Sequence, residues 1–122
     1  NIQVVEHVGQ GFVELVESGK TTGPEAEEVV ETSVEPLLDA GADTIVLGCT
    51  HYPSLSNTIR KVASRLVPER EIIIIDPAPA VARHLLEVMK EEGISISDFD
   101  GYSLELISSG EPTTLKKLAE SL

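Results

Sequence analysis

Thr44-Ile45-Val46-Leu47-Gly48-Cys49-Thr50-His51-Tyr52-Pro53 carries an apolar strand signature into a glycine, then a thiol, a hydroxyl, an imidazole and a proline suited to a first helical turn. A strand that ends in such a loop and feeds a helix is the repeating piece of parallel α/β sheets, whose working surface lies at the carboxyl ends of the strands. Strand-like and helix-like patterns alternate outward from this stretch. Upstream, Ala26, Val29, Val30, Val34, Leu37 and Leu38 follow the i, i+3, i+4, i+7 spacing of a helix over Pro24 to Asp39, with Pro24 in its first turn and Gly41 past its end. Pro36 sits inside that pattern and predicts a kink. Downstream, a helix beginning near Pro53 places Leu55, Ile59, Val62, Ala63 and Leu66 on one face and stops at Pro68.

The flanks continue the alternation. Ile72 to Ile75 form a run too apolar for a half-exposed strand, which predicts a central strand covered on both faces. Asp76-Pro77 reads as an N-cap and first-turn proline, and the following helix turns Ala78, Val81, Ala82, Leu85, Leu86 and Met89 inward before Gly93 ends it. At the start of the chain, Ile2 to Glu6 predict a short strand. A Gly9-Gln10-Gly11 turn follows, then an amphipathic segment with Phe12, Leu15 and Val16 on one side. Beyond the polar connection from Ser95 to Gly101, Leu104 and Leu106 predict a last strand that ends at Ser108-Ser109-Gly110, and Pro112 opens a helix burying Leu115, Leu118 and Ala119. The expected class is α/β: an open parallel sheet with flanking helices.

Composition agrees with that class. Of the 122 residues, 41% are hydrophobic but only 3% aromatic, so the core is built from aliphatic side chains, as in covered parallel sheets. Twenty-one acidic against nine basic residues give a net charge of −12, which repels nucleic acid and anionic membrane surfaces. The acids at Glu25, Glu27, Glu28 and Glu31 read as solvated helix faces. One cysteine rules out a disulfide framework, and no apolar run approaches the roughly 18 residues of a membrane span. These features point to a reducing, cytoplasmic setting in which a thiol stays reduced. The absence of a starting Met reads as the mark of a piece of something longer.

Cys49 lies past a strand and a glycine, a few residues before a helix start whose positive end favours an anion, either a thiolate or a substrate carboxylate. His51 exchanges protons near neutral pH and Thr50 adds a hydroxyl. Together they suit proton transfer or nucleophilic attack on a small anion, although a single strand-end cysteine is also a common small buried hydrophobe.

Leu47-Gly48-Cys49-Thr50-His51-Tyr52-Pro53 closely resembles the second catalytic-cysteine motif of the glutamate racemases, cofactor-independent enzymes of cell-wall synthesis. Phe12-Val13-Glu14-Leu15-Val16-Glu17-Ser18-Gly19 is similar to a segment of that family at about the usual distance upstream. Ile75-Asp76 with the small residues Pro77 to Ala80, and Ser109-Gly110 before a short helix, resemble its carboxyl-terminal part. The resemblance implies that two cysteines face opposite sides of the glutamate Cα. One removes the proton and the other delivers one, without metal or cofactor. A single base returns a proton to the side it came from, whereas two flanking groups invert the centre. By the same resemblance Cys49 is one of the two acid–base residues. His51 assists its change of protonation, Glu17 contributes to proton transfer or ammonium binding, and Thr50 holds the substrate.

The family's aspartate-serine-glycine turn, and the alanine-cysteine-asparagine-threonine motif that bears its first cysteine, have no counterpart in this sequence. His7-Val8-Gly9-Gln10-Gly11 stands where the family more often has a small residue, cysteine or threonine, and proline. The expectation is therefore the carboxyl-terminal half of a two-lobed racemase, inactive by itself. Residues 1–69 would belong to the lobe carrying the Cys-Thr-His motif and residues 70–122 to the end of the other lobe. Its partners would be glutamate, the missing amino-terminal half, and a second copy through homodimerisation or domain swapping. Another two-cysteine racemase, for aspartate or hydantoins, and a non-catalytic anion-binding α/β module are the alternatives. His51-Tyr52-Pro53 argues against aspartate racemases, which look more like glycine-cysteine-threonine-glutamate there. Among other residues, His84 reads as a surface histidine, His7 as lying nearer the loop side, and Asp76 as an N-cap. Ser108-Ser109-Gly110 reads as a polar turn. His51, His7 and Glu17 lack zinc-ligand spacing, so no metal site is expected.

Overall fold

The computed structural model describes residues 2–95 and 105–120, which places Leu104 and most of the Ser95 to Gly101 connection outside the described residues. The chain divides into two units, Asn1–Ala78 and Pro79–Leu122.

The first unit carries six elements: α1 (Phe12–Glu17), α2 (Pro24–Asp39), β1 (Thr44–Val46), a 3-10 turn (Tyr52–Leu55), α3 (Ser56–Leu66) and β2 (Ile73–Ile75). β1 and β2 are parallel, with Thr44 opposite Ile73, Ile45 opposite Ile74 and Val46 opposite Ile75. Parallel strands need a crossover, and α3 supplies it. Backbone bonds from Ile73 N–H to the Asp43 carbonyl and from Leu47 N–H to the Ile75 carbonyl extend the pairing at both ends.

Helices α2 and α3 pack against each other as their spacing dictates. Ala26, Val30, Val34 and Leu38 are buried on α2, and Leu55, Ile59, Val62 and Ala63 on the turn and α3. Each fully buried Val, Leu or Ile stabilises the fold by about 1.5 to 3 kcal/mol over leaving it in water. The rim of this contact is polar. Glu27 meets Lys61 at 2.6 Å and Glu31 meets Arg65 at 2.8 Å, two rungs set by i, i+4 spacing on each helix. The buried Thr58 hydroxyl donates to the Thr21 carbonyl at 2.6 Å. Gly41, at φ 88°, ends α2 with bonds from its own N–H to Leu38 and from Ala42 N–H to Leu37, the left-handed helix stop that glycine permits. Helix α2 runs through Pro36 to Asp39, even though proline cannot donate to the carbonyl four residues back.

The second unit holds α4, whose full span is Ala78–Glu91, and α5 (Pro112–Glu120). The Asp76 carboxylate accepts the Ala78 N–H at 2.9 Å, so it caps α4 as its sequence position predicts.

Five expectations are corrected. Ile2 to Glu6 form no strand, and Ile2 and Val4 are 94% and 76% exposed. Strand propensity becomes a strand only against a ladder partner, and the described residues supply none there. β2 is not covered on both faces: Ile73 and Ile75 are exposed because the described sheet has two strands and only its inner side, with Ile45 and Leu47, is buried. On α4, Val81, Leu85 and Leu86 are exposed and Met89 only half-buried, because no described element covers the stripe. Glu105 to Ser108 are not a strand, and on α5 Leu115, Leu118 and Ala119 are half-buried.

Candidate active site

The loop after β1 folds back through two short backbone bonds, Tyr52 N–H to the Cys49 carbonyl at 3.1 Å and Ser54 N–H to the His51 carbonyl at 3.2 Å. Ser56 Oγ donates to the Pro53 carbonyl at 2.7 Å and closes the turn into α3. This tight path sets the Cys49 and His51 side chains together. Cys49 is half-buried, and its Sγ lies 3.9 Å from His51 Nδ1.

The other ring nitrogen faces a residue 34 positions away in sequence. His51 Nε2 is 3.6 Å from Glu17 Oε1, with the imidazole 27% and the carboxylate 52% exposed. Glu17 is the last residue of α1, whose end is fixed by Lys20 N–H bonding to the Leu15 carbonyl, Gly19 N–H to the Val16 carbonyl, and Ser18 Oγ to the Leu15 carbonyl. Thiol, imidazole and carboxylate thus form a line. The carboxylate faces Nε2 of the ring, and Nδ1 faces the sulfur. Such a line can take a proton from a thiol and give it back, with the carboxylate steadying the imidazolium formed in between.

Of the sequence candidates, the structure brings Cys49, His51 and Glu17 together. Thr50 lies between them in the chain and is exposed at the same loop. His7 is exposed and makes no ion pair with these groups among the described residues. His84 pairs with Glu87 at 3.4 Å on the exposed surface of α4. Ser108 Oγ accepts the Gly110 N–H at 3.1 Å, an ordinary polar turn. Among the described residues, no group of three or more His, Cys, Asp or Glu side chains is arranged to hold a metal ion. No described helix is long and apolar enough to cross a membrane.

Sequence reasoning missed an aromatic contact between α1 and this loop. The rings of Phe12 and Tyr52 meet edge to face, centroids 5.0 Å apart at 70°. The available signal was Phe12 as the first apolar position after a Gly-x-Gly turn, in a chain with four aromatic side chains, two Tyr and two Phe.

Comparison with known proteins places these residues in context. Residues 2–85 match the family described as Asp/Glu/Hydantoin racemase. The glutamate racemase of Roseiflexus sp. (strain RS-1) is 37% identical over 123 residues, covering 99% of this chain and 43% of that protein. That of Herpetosiphon aurantiacus is 36% identical over 122 residues, covering 100% of this chain and 46% of its own length. The solved glutamate racemase of Francisella tularensis subsp. tularensis SCHU S4, in complex with D-glutamate, superposes with a TM-score of 0.58 at 26% identity. That match covers 68% of this chain and 29% of that one. The chain therefore spans less than half the length of these relatives.

Proposed function

This chain belongs to the Asp/Glu/Hydantoin racemase family, and we propose that it supplies one of two opposed acid–base groups of a cofactor-independent glutamate racemase. The observation that carries this reading is the line from Cys49 Sγ through His51, 3.9 Å on one side, to Glu17, 3.6 Å on the other. The relatives' names, and the D-glutamate bound to the Francisella enzyme, support glutamate as the substrate.

In this reading the Cys49 thiolate takes the Cα proton from one face of glutamate, or the thiol returns one to that face. His51 Nδ1 exchanges the proton with the sulfur between turnovers. Glu17 holds the ring in the useful tautomer and stabilises its charged form. Thr50, exposed beside the sulfur, meets the substrate carboxylate or ammonium group. Inversion needs a second group on the far face, and this chain has a single cysteine. The counterpart thiol then comes from protein beyond these 122 residues, and the chain alone is inactive in racemisation. The outer sheet face, with Val46, Ile73 and Ile75 61%, 56% and 43% exposed, supports association with that counterpart or with a second copy. The physiological role in this reading is cytoplasmic supply of D-glutamate for peptidoglycan.

The test is Cys49→Ala in the whole enzyme. Racemisation, followed by polarimetry and by loss of the glutamate Cα–H signal in D2O, is expected to fall by roughly 10²-fold to 10⁴-fold. Inversion at the wild-type rate refutes the assignment.

A further inference from the structure

We propose that Gly9, Phe12 and Tyr52 are positioning residues, an aromatic clamp that sets the distance between Glu17 and His51. The inference rests on the proton relay proposed above and adds what holds it in register.

Glu17 and His51 are far apart in sequence, and neither backbone alone brings them together. Helix α1 has six residues, too few to hold a fixed attitude without tertiary contacts. One point of its contact with the loop after β1 is Phe12, 4% exposed, whose ring meets Tyr52 edge to face. Tyr52 follows His51 directly, and Phe12 precedes Glu17 by five residues, about 7.5 Å along the helix. One end of the clamp is therefore tied to the imidazole and the other, through the last turn of α1, to the carboxylate.

Gly9 fixes how close the rings come. A Cβ at that position would lie 2.7 Å from Phe12 Cδ2 and 2.9 Å from both Phe12 Cγ and Tyr52 Cζ. No side chain fits there, so the bare backbone of Gly9 packs against both rings. The Phe12 N–H donates to the Gly9 carbonyl at 3.3 Å and ties this backbone to the start of α1. A side chain larger than hydrogen pushes the rings apart and takes the helix with them. At 3.6 Å the Glu17–His51 pair is already at the outer edge of direct contact, so a displacement of about 1 Å lets water between the two groups.

Cys49 is the single thiol in the chain, so its alkylation by iodoacetamide reads the relay with no competing sulfur. The thiolate sulfur displaces iodide and forms the C–S bond, at a rate that follows the thiolate population. The pH–rate profile is measured on the 122-residue chain for wild type, Glu17→Gln, Phe12→Leu, Gly9→Ala and Tyr52→Phe, with circular dichroism melts confirming folding. Glu17→Gln is expected to lower the neutral-pH rate by about threefold or more and to change the profile, because an imidazolium formed on taking the thiol proton loses its facing carboxylate. Phe12→Leu and Gly9→Ala are expected to reproduce the Glu17→Gln profile while still melting cooperatively. Tyr52→Phe keeps the ring and is expected to keep the wild-type profile. Gly9→Ala retains every buried aromatic atom, so it decides the matter if Phe12→Leu does not fold. A shifted Glu17→Gln profile with both clamp variants on the wild-type curve overturns the clamp and leaves the relay standing. A Glu17→Gln profile that superimposes on wild type removes the relay, and the clamp's role with it.

Discussion

Arg70 is the side chain whose loss tests the local architecture most directly. Its guanidinium donates to the Leu38 carbonyl, 3.1 Å away, and to the Ala42 carbonyl. The first, in the last turn of α2, also accepts the Gly41 N–H, and the second lies just before β1. Arg70 itself precedes β2, so one planar fork joins the end of a helix to the entrances of both strands. A hydrogen bond from a charged donor contributes about 1.5 to 3 kcal/mol when sheltered. Arg70 is half-buried, so the lower end applies to each bond, with partial overlap between two made by one group. The guanidinium also lies at the negative end of α2, worth about 0.3 to 1 kcal/mol more. Arg70→Met keeps the aliphatic stem and removes all of this, at an expected cost of about 2 to 3 kcal/mol. In urea, with a slope of about 1 to 1.5 kcal/mol per molar for a unit of this size, the midpoint falls by about 2 M at unchanged slope. Arg70→Lys keeps a charge but not the fork, and recovers about half. A midpoint within about 0.3 M of wild type for Arg70→Met, or full recovery by lysine, refutes the bidentate account.

Two further substitutions probe the packing. Thr58→Val removes a hydroxyl that is buried and bonded to the Thr21 carbonyl, leaving that acceptor unpaired, and should cost about 1 to 2 kcal/mol in the same urea titration. Leu85→Gln, on the exposed stripe of α4, should stay within about 0.5 kcal/mol of wild type by thermal melt, whereas a buried leucine would cost several times more.

How much of this was legible in the residues depends on the range of the interaction. The strand-loop-helix path around Cys49 is local: three apolar residues after a threonine, a glycine, and Pro53 placed to start a turn, and the structure follows it closely. The same holds in part for α2: of the six apolar residues the helical spacing selects, Ala26, Val30, Val34 and Leu38 are buried while Val29 and Leu37 are half-buried, and the polar Ser33 is buried beside them. Periodicity says which face of an element seeks cover but not whether cover is present. Hydropathy therefore predicts cover for Ile73, Ile75, Val81 and Leu85, and they are exposed for want of a described neighbour. Ile2 to Glu6 failed for the same reason, since a ladder is a property of two segments and the pattern describes one.

The candidate site shows the same division inside a few ångströms. The Cys49–His51 approach is fixed by a spacing of two and a tight turn, so it could be anticipated from neighbours in sequence. The His51–Glu17 approach is different, because it depends on where a six-residue helix lies against a loop more than thirty residues later. What decides that placement is one backbone with no room for a Cβ, one edge-to-face ring pair and a buried stripe of Phe12, Leu15 and Val16. None of these reads as chemistry in a linear pattern, since glycine and phenylalanine carry no titratable group. The proton-handling residues announce themselves by type, whereas the residues that make them cooperate are apolar and are found only by following the contacts outward from the imidazole. That is why the clamp, rather than the motif, is the part of this site most sensitive to small changes in packing.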